Sequence, residues 1–179
     1  MKQARQILFL TLMLQVFVPV VYGLAEGVDE YLLKAAFFER FTRFVDYGTQ
    51  PADQDRFFVI AVLGENPFGD RLDRVYKEQR ILNRQVKLIY TDRVDQIGRP
   101  DILYIGQDQR KELEHILASI QGYQTITIAD SPAFSGKGIM INLLLIDNKI
   151  RFEIDLEAAS KQNVKFDRIL LANAIIVKK

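Results

Sequence analysis

Residues 57–63 read Phe-Phe-Val-Ile-Ala-Val-Leu, an unbroken apolar run of mostly β-branched and aromatic residues, closed by Gly64. A strand with no polar face has to be covered on both sides, which a parallel sheet between two helical layers achieves. Runs of the same kind recur at residues 86–90, 102–105 and 125–129, the third of these four closed by Gly106. The stretches between them are long enough for crossovers, and two carry the period of a helix. Strands alternating with helices predict right-handed crossovers and a mostly parallel sheet.

The helices are read from their apolar period. Over residues 29–47, Leu33, Phe37, Phe41 and Phe44 mark one helical face, with Lys34, Glu39, Arg40 and Arg43 pointing elsewhere. Tyr31, Ala35, Phe38 and Val45 form a shoulder beside that stripe, wider than contact with one sheet requires. Either a flanking helix covers the shoulder or it meets a partner, which makes Tyr31, Ala35 and Phe38 the partner-facing candidates. Helices are also expected over residues 70–76, with Leu72, Val75 and Tyr76 inward, and 109–120, with Leu113, Ile116, Leu117 and Ile120 inward. The polar segment 91–100 carries no assignable pattern.

After Asp130 the pattern changes. A loop over residues 131–138 leads to strands at 139–146 and 149–154, joined through Asp147-Asn148, a spacing that demands a hairpin. Asp155 is placed to cap a helix with Leu156, Ala159 and Val164 on its apolar side, and a last helix starts at Asp167, with Ile169, Leu170, Ala172, Ala174 and Ile175 available for burial. The expectation is an α/β fold: three layers, a mostly parallel Rossmann-like sheet with a C-terminal antiparallel hairpin, and helices on both faces.

Lys2 and Arg5 precede the apolar stretch 7–21, followed by the small residues Gly23 and Ala25, the pattern of a cleaved secretory signal peptide. As a helix that stretch would rise only about 22 Å, short of a hydrocarbon core about 30 Å thick. Residues 1–25 are therefore expected to be a signal peptide, with cleavage after Gly23 or Ala25, and residues 26–179 a single domain. The periplasm is the expected compartment, with no membrane insertion after cleavage.

Composition narrows the chemistry. A formal net charge of +1 gives no field for wrapping nucleic acid. The absence of Cys removes thiolate metal sites, disulfides and cysteine nucleophiles, and a single His115 removes schemes built on two imidazoles. Pro67 withdraws a backbone donor that a phosphate loop at residues 64–69 would need, and Ser135-Gly136-Lys137-Gly138 lacks the residues that flank a P-loop lysine. Glu153 and Asp155 could share a strand face, with a cap or edge solubility as the simpler roles. No nucleophile, base and oxyanion donor stand in a recognisable arrangement, so neither catalytic residues, a cofactor nor a metal is expected.

In a parallel sheet the loops after Leu63, Ile105 and Ala129 emerge at the same carboxyl edge, where open α/β folds bind ligands. Their convergence would bring together Asn66, Phe68, Gln107, Ser131, Phe134 and Ser135, two aromatic rings among amides and hydroxyls. That lining suits a small amphipathic ligand or a partner's segment, unless Phe68 and Phe134 insert into the core.

In order along the chain, Lys34-Ala35-Ala36-Phe37 with Phe41, Phe44 and Val45, then Val62-Leu63-Gly64 with Asn66-Pro67-Phe68-Gly69, resemble the opening of the YfiR-type periplasmic regulators. Residues 102–105, Gly138 with Met140-Ile141-Asn142, residues 151–154 with Leu156, Ala158 and Ala159, and Arg168 with Leu170, Leu171 and Ala172 continue the likeness. The resemblance implies a non-enzymatic protein that binds the outward-facing domain of an inner-membrane diguanylate cyclase and holds it inactive; the periplasmic domain of a sensor kinase is the other partner expected, and a homodimer is left open. It places Asp101 where relatives often carry Cys, so disulfide control is unavailable to this chain. Tyr47-Gly48 and Gly138-Ile139-Met140 also depart from the family pattern. The alternative reading is a periplasmic module for a small amphipathic ligand or peptide.

Overall fold

The computed structural model describes residues 29–46 and 56–177; the expected signal segment, Tyr47-Gly48 and the loop at 50–55 lie outside the described residues. In chain order the elements are α1 (Glu30–Thr42), β1 (Val45–Asp46), β2 (Phe58–Leu63), α2 (Arg71–Tyr76), β3 (Arg80–Ile81) and β4 (Arg84–Thr91). β5 (Ile102–Ile105), a 3-10 turn at Gln107–Glu112, α3 (Leu113–Ser119), β6 (Ile126–Ala129), β7 (Ile141–Ile146) and β8 (Lys149–Ile154) follow. α4 (Leu156–Lys161), β9 (Lys165–Phe166), α5 (Arg168–Ala172) and β10 (Ile175–Ile176) complete the chain.

Eight strands form one sheet in the order β10-β8-β7-β6-β5-β2-β4-β3. The five strands β4, β2, β5, β6 and β7 run parallel, while β7 with β8 and β3 with β4 pair antiparallel. The molecule is thus mixed α/β with a mostly parallel sheet. Strand side chains alternate between two cores, as a pleat requires. Phe58, Ile60 and Val62 of β2 join one core with Tyr104, Ile128, α1, α2, α4 and α5, whereas Ala61 and Leu63 join the other with Ile105, α3 and Phe134.

The amino edge is pinned by Asp101. Its carboxylate accepts from Arg84 Nη2 at 2.6 Å, Arg56 Nη2 at 2.8 Å and the backbone N–H of Val59 at 2.8 Å. The strand at residues 102–105 therefore starts from an ion pair with a mostly buried Arg84, whose guanidinium also lies 4.8 Å over the Phe58 ring.

α1 sits differently from the expected stripe. The shoulder residues Ala35 and Phe38 are fully buried, together with Phe41, while Leu33 is 40% exposed and Phe37 half-buried. This corrects the assignment of Ala35 and Phe38 as partner-facing: Tyr76 of α2 meets Ala35, and the rings of Phe68 and Tyr104 meet Phe38. Tyr76 of α2 reaches into the helix, donating its hydroxyl to Ala35 C=O at 2.7 Å and accepting from Glu39 N–H at 3.0 Å. The hydroxyl thus sits within the i to i−4 ladder of α1, which brings the two helices close at Ala35. Lys34, read as pointing away from the apolar stripe, is also inside.

Several short elements escape the sequence periods. The expected helix at 29–47 stops at Thr42, and Val45–Asp46 pairs instead with Lys165–Phe166. Ile175, read as part of the last helix, instead forms with Ile176 a strand parallel to β8. β3 joins β4 through Leu82 and Asn83, both at positive φ, a type I′ geometry. Asp155 does cap its helix, accepting from Ala158 N–H at 3.0 Å, and Asp167 accepts from Ile169 N–H at 2.7 Å.

Phe38 touches Phe68 edge-to-face at 5.4 Å and stacks with Tyr104 at 6.4 Å, so it is one of the rings that tie α1 to the sheet. Phe38→Ala is expected to lower stability by about 3–5 kcal/mol. The midpoint of urea unfolding, with its slope unchanged, reads that loss.

Candidate functional site

The strand order reverses between β2 and β5, and the loops after them leave side by side at the carboxyl edge, the place where doubly wound sheets open a ligand crevice. Here the crevice is shut by the chain itself. Gly106 N–H donates to Leu63 C=O at 2.8 Å, and Asp108 Oδ1 accepts from Glu65 N–H at 2.9 Å. A Cβ on Gly106 would lie 2.6 Å from that same carboxylate oxygen and 2.9 Å from Glu65 N, so only glycine lets the two loops close this tightly.

Beside it, Asp130 at the end of β6 gathers the polar groups of three elements. Lys34 Nζ of α1 donates to Asp130 Oδ2 at 2.8 Å and also pairs with Glu30. Tyr104 of β5 donates its hydroxyl to Asp130 Oδ1 at 2.6 Å, and the Lys34 ammonium lies 4.5 Å over the Tyr31 ring. Burial, then the Asp130 charge and its hydrogen bond, push the phenols of Tyr104 and Tyr31 well above the ordinary tyrosine range. Tyr104 thus serves as a hydrogen-bond donor, and the Asp130 carboxylate is shared between that phenol and Lys34. It fastens the start of α1 to the sheet.

A third network lies over the β7 start. Asn142 Oδ1 accepts from Ser131 N–H at 3.1 Å and its amide donates to Glu153 at 3.0 Å, while Ser135 Oγ donates to the other Glu153 oxygen at 3.1 Å. Glu153 is therefore occupied by neighbours, and with Asp155 capping α4 the two carboxylates do not act as a pair.

The six residues expected to line one site are divided by the sheet. Phe68 is fully buried in the α1 core, edge-to-face with Tyr104 at 4.9 Å and Tyr31 at 5.5 Å. Phe134 is buried in the α3 core on the opposite face. Neither ring supplies a lining, because each fills the space that its own loop leaves over the sheet. Asn66 folds its loop onto itself, accepting from Phe68 N–H at 3.0 Å and donating to Gly69 C=O at 3.1 Å. Ser131 is buried and caps the turn at Pro132–Phe134. Gln107 and Ser135 are the exposed members.

The open feature of this edge is the hairpin. β6 pairs with β7 only at Ile141 and Asn142, and β10 pairs with β8 only at Glu153 and Ile154. Residues 143–152 therefore continue as a two-stranded ribbon past their neighbours, closed by Asp147 and Asn148 at φ of 50° and 57°, a type I′ turn. Leu145 is 49% and Ile146 41% exposed at its far end, and Lys149 and Arg151 project along β8. The overhang follows from the register of β7 against β6, which the residue pattern of either strand does not set.

Among the described residues no group of three or more His, Asp or Glu could hold a metal, and no helix is long and apolar enough to cross a membrane. Breaking the buried Lys34–Asp130 pair with Lys34→Met is expected to destabilise by about 3–5 kcal/mol, with the double variant Lys34→Met, Asp130→Asn recovering part of it in the same urea titration. Because folded Tyr31, Tyr76 and Tyr104 hold their protons above the pH at which unfolded tyrosines release theirs, their stabilisation is complete below about pH 10 and falls as pH rises beyond it. Phenolate absorbance should accordingly lag for these three rings and appear together with unfolding.

Residues 31–174 match the family model described as YfiR/HmsC-like. No curated protein matches the sequence. Among solved structures, a conserved domain protein from Vibrio cholerae superposes with a TM-score of 0.53 at 11% identity, covering 83% of this chain and 60% of the other. A domain in complex with L-Trp from Streptococcus pneumonia superposes with a TM-score of 0.51 at 10% identity, covering 70% of this chain and 56% of the other. The chain spans less than two thirds of either structure, and at these identities the likeness is one of fold.

Proposed function

Because the chain belongs to the YfiR/HmsC-like family, we propose that it acts in the periplasm as a non-enzymatic regulator that binds the extracytoplasmic domain of an inner-membrane signalling protein and represses it. The partner proposed is a diguanylate cyclase, so the output is the cyclic-di-GMP level. Family membership across residues 31–174 carries the reading. The site geometry agrees with it: the polar groups at the carboxyl edge satisfy one another, whereas apolar side chains of the hairpin stand in solvent. A protein that works by touching another needs the second property and not an open crevice.

A small-ligand module is the other reading, and one feature favours it. A groove of about 620 Å³ lies between α3 and α4, floored by Thr127 and Met140 and flanked by Leu117, Lys137 and Lys161. It lies on neither buried ring of the expected lining, so Phe68 and Phe134 have no part in it. A screen of anionic amphiphiles that leaves the melting temperature unchanged removes this reading.

Copurification separates the two. The tagged, exported chain is expected to retain an inner-membrane cyclase identified by mass spectrometry, and deletion of its gene is expected to raise cyclic-di-GMP. Unchanged cyclic-di-GMP in the deletion strain overturns the cyclase assignment.

A further inference from the structure

We infer that the ribbon of β7 and β8 docks its partner by adding a strand to the free edge of β8, and that the added strand alternates acidic with apolar residues. This rests on the regulator reading above and names the surface and chemistry by which it works.

The edge comes first. Ile146 and Lys149 flank a two-residue turn, and such a closing pair exchanges both backbone hydrogen bonds, so Lys149 and Arg151 bond inward to β7 while the N–H and C=O of Ile150 point outward. β10 reaches only Glu153 and Ile154, which leaves residues 149–152 without a strand neighbour among the described residues. A two-stranded ribbon alone is marginal in water, and the unpaired backbone groups of an open edge are a template for another strand.

The side chains then select the occupant. Leu145 and Ile150 are cross-strand neighbours on the face that continues the α1 core, with Phe152 packed at 5.3 Å against Phe41 one step inward. On the opposite face Lys149 stands beside Ile146, and Arg151 beside Leu144. Lys149 and Arg151 make no ion pair among the described residues, although nine such pairs occur elsewhere, Arg93 with Asp95 and Lys161 with Glu157 included. A strand laid beside β8 would set alternate residues against Lys149 and Arg151 on one face and against Ile150 on the other. Acidic residues suit the first and apolar residues the second. The same two cations would oppose each other if β8 paired antiparallel with its own copy about Ile150, which disfavours a second molecule of this chain at that register.

The test uses the purified chain and two synthetic peptides, one alternating Glu with Val and one alternating Lys with Val. The Glu peptide is expected to slow amide exchange at Ile150 and Phe152, and the Lys peptide is not. Ile150→Pro, which removes the outward N–H, and the pair Lys149→Glu, Arg151→Glu should each weaken the Glu peptide by about tenfold, with far-UV circular dichroism unchanged. Equal effects of both peptides, no effect of either, or full binding by Ile150→Pro overturns the inference. The same variants are then set against the extracytoplasmic domain of the cyclase recovered by copurification. Capture of that domain by the unaltered chain and by both variants alike also overturns it. Peptide binding without any cyclase in the copurification would leave the edge intact and overturn the regulator reading alone. A doubled mass in light scattering that Ile150→Pro abolishes would assign the edge to a second copy and overturn the proposed occupant.

Discussion

The burial of both faces of β2, β5 and β6 governs the rest of the molecule. Ile60, Val62, Leu63, Ile102, Leu103, Ile105, Ile126 and Ile128 are all fully buried, and no loop can cover so much apolar surface on two sides. One helical layer has to come from α1 and its neighbours and another from α3 with the Phe134 turn. At about 25 cal/mol per Å² of apolar surface removed from water, this double covering is the dominant favourable term. Its directional cost is that the strand ends must satisfy their polar groups within the loops.

That requirement explains the contrast at the carboxyl edge. Asp108 takes up Glu65 N–H, Asp130 takes up Lys34 and Tyr104, and Asn142 links Ser131 to Glu153. Each contact closes space that a ligand would otherwise use. The hairpin escapes closure because its six-residue strands outrun the pairing offered by β6 and β10. The fold therefore leaves exposed apolar side chains on a projecting element, and a docking role at that element does not disturb the core.

The helix α1 shows where periodicity misleads. Both candidate faces were apolar, and the stripe through Leu33, Phe37 and Phe41 had the regular spacing, but of these three only Phe41 is fully buried, beside Ala35 and Phe38 of the shoulder. Two local facts decided between them. Ala35 is small enough for Tyr76 to reach the backbone of α1, and Lys34 finds Asp130 at the end of a strand 96 positions away. A lysine on a helix reads as solvent-facing until a distant carboxylate is known to meet it.

Local residue pattern was sufficient for the long strands, for the presence of the connecting helices, for the turn at Asp147-Asn148, for the cap at Asp155 and for the helix start at Asp167, because these depend on side chains within a few positions of one another. The two-residue strands at Val45, Arg80, Lys165 and Ile175 had no period to read, being too short to show one. Which way Phe68 and Phe134 turn, which face of α1 is buried, and how far β7 outruns β6 were decided by the assembled sheet. Those outcomes depend on the register between strands and on the volume left over each face, quantities that exist only once segments far apart in the chain have packed together.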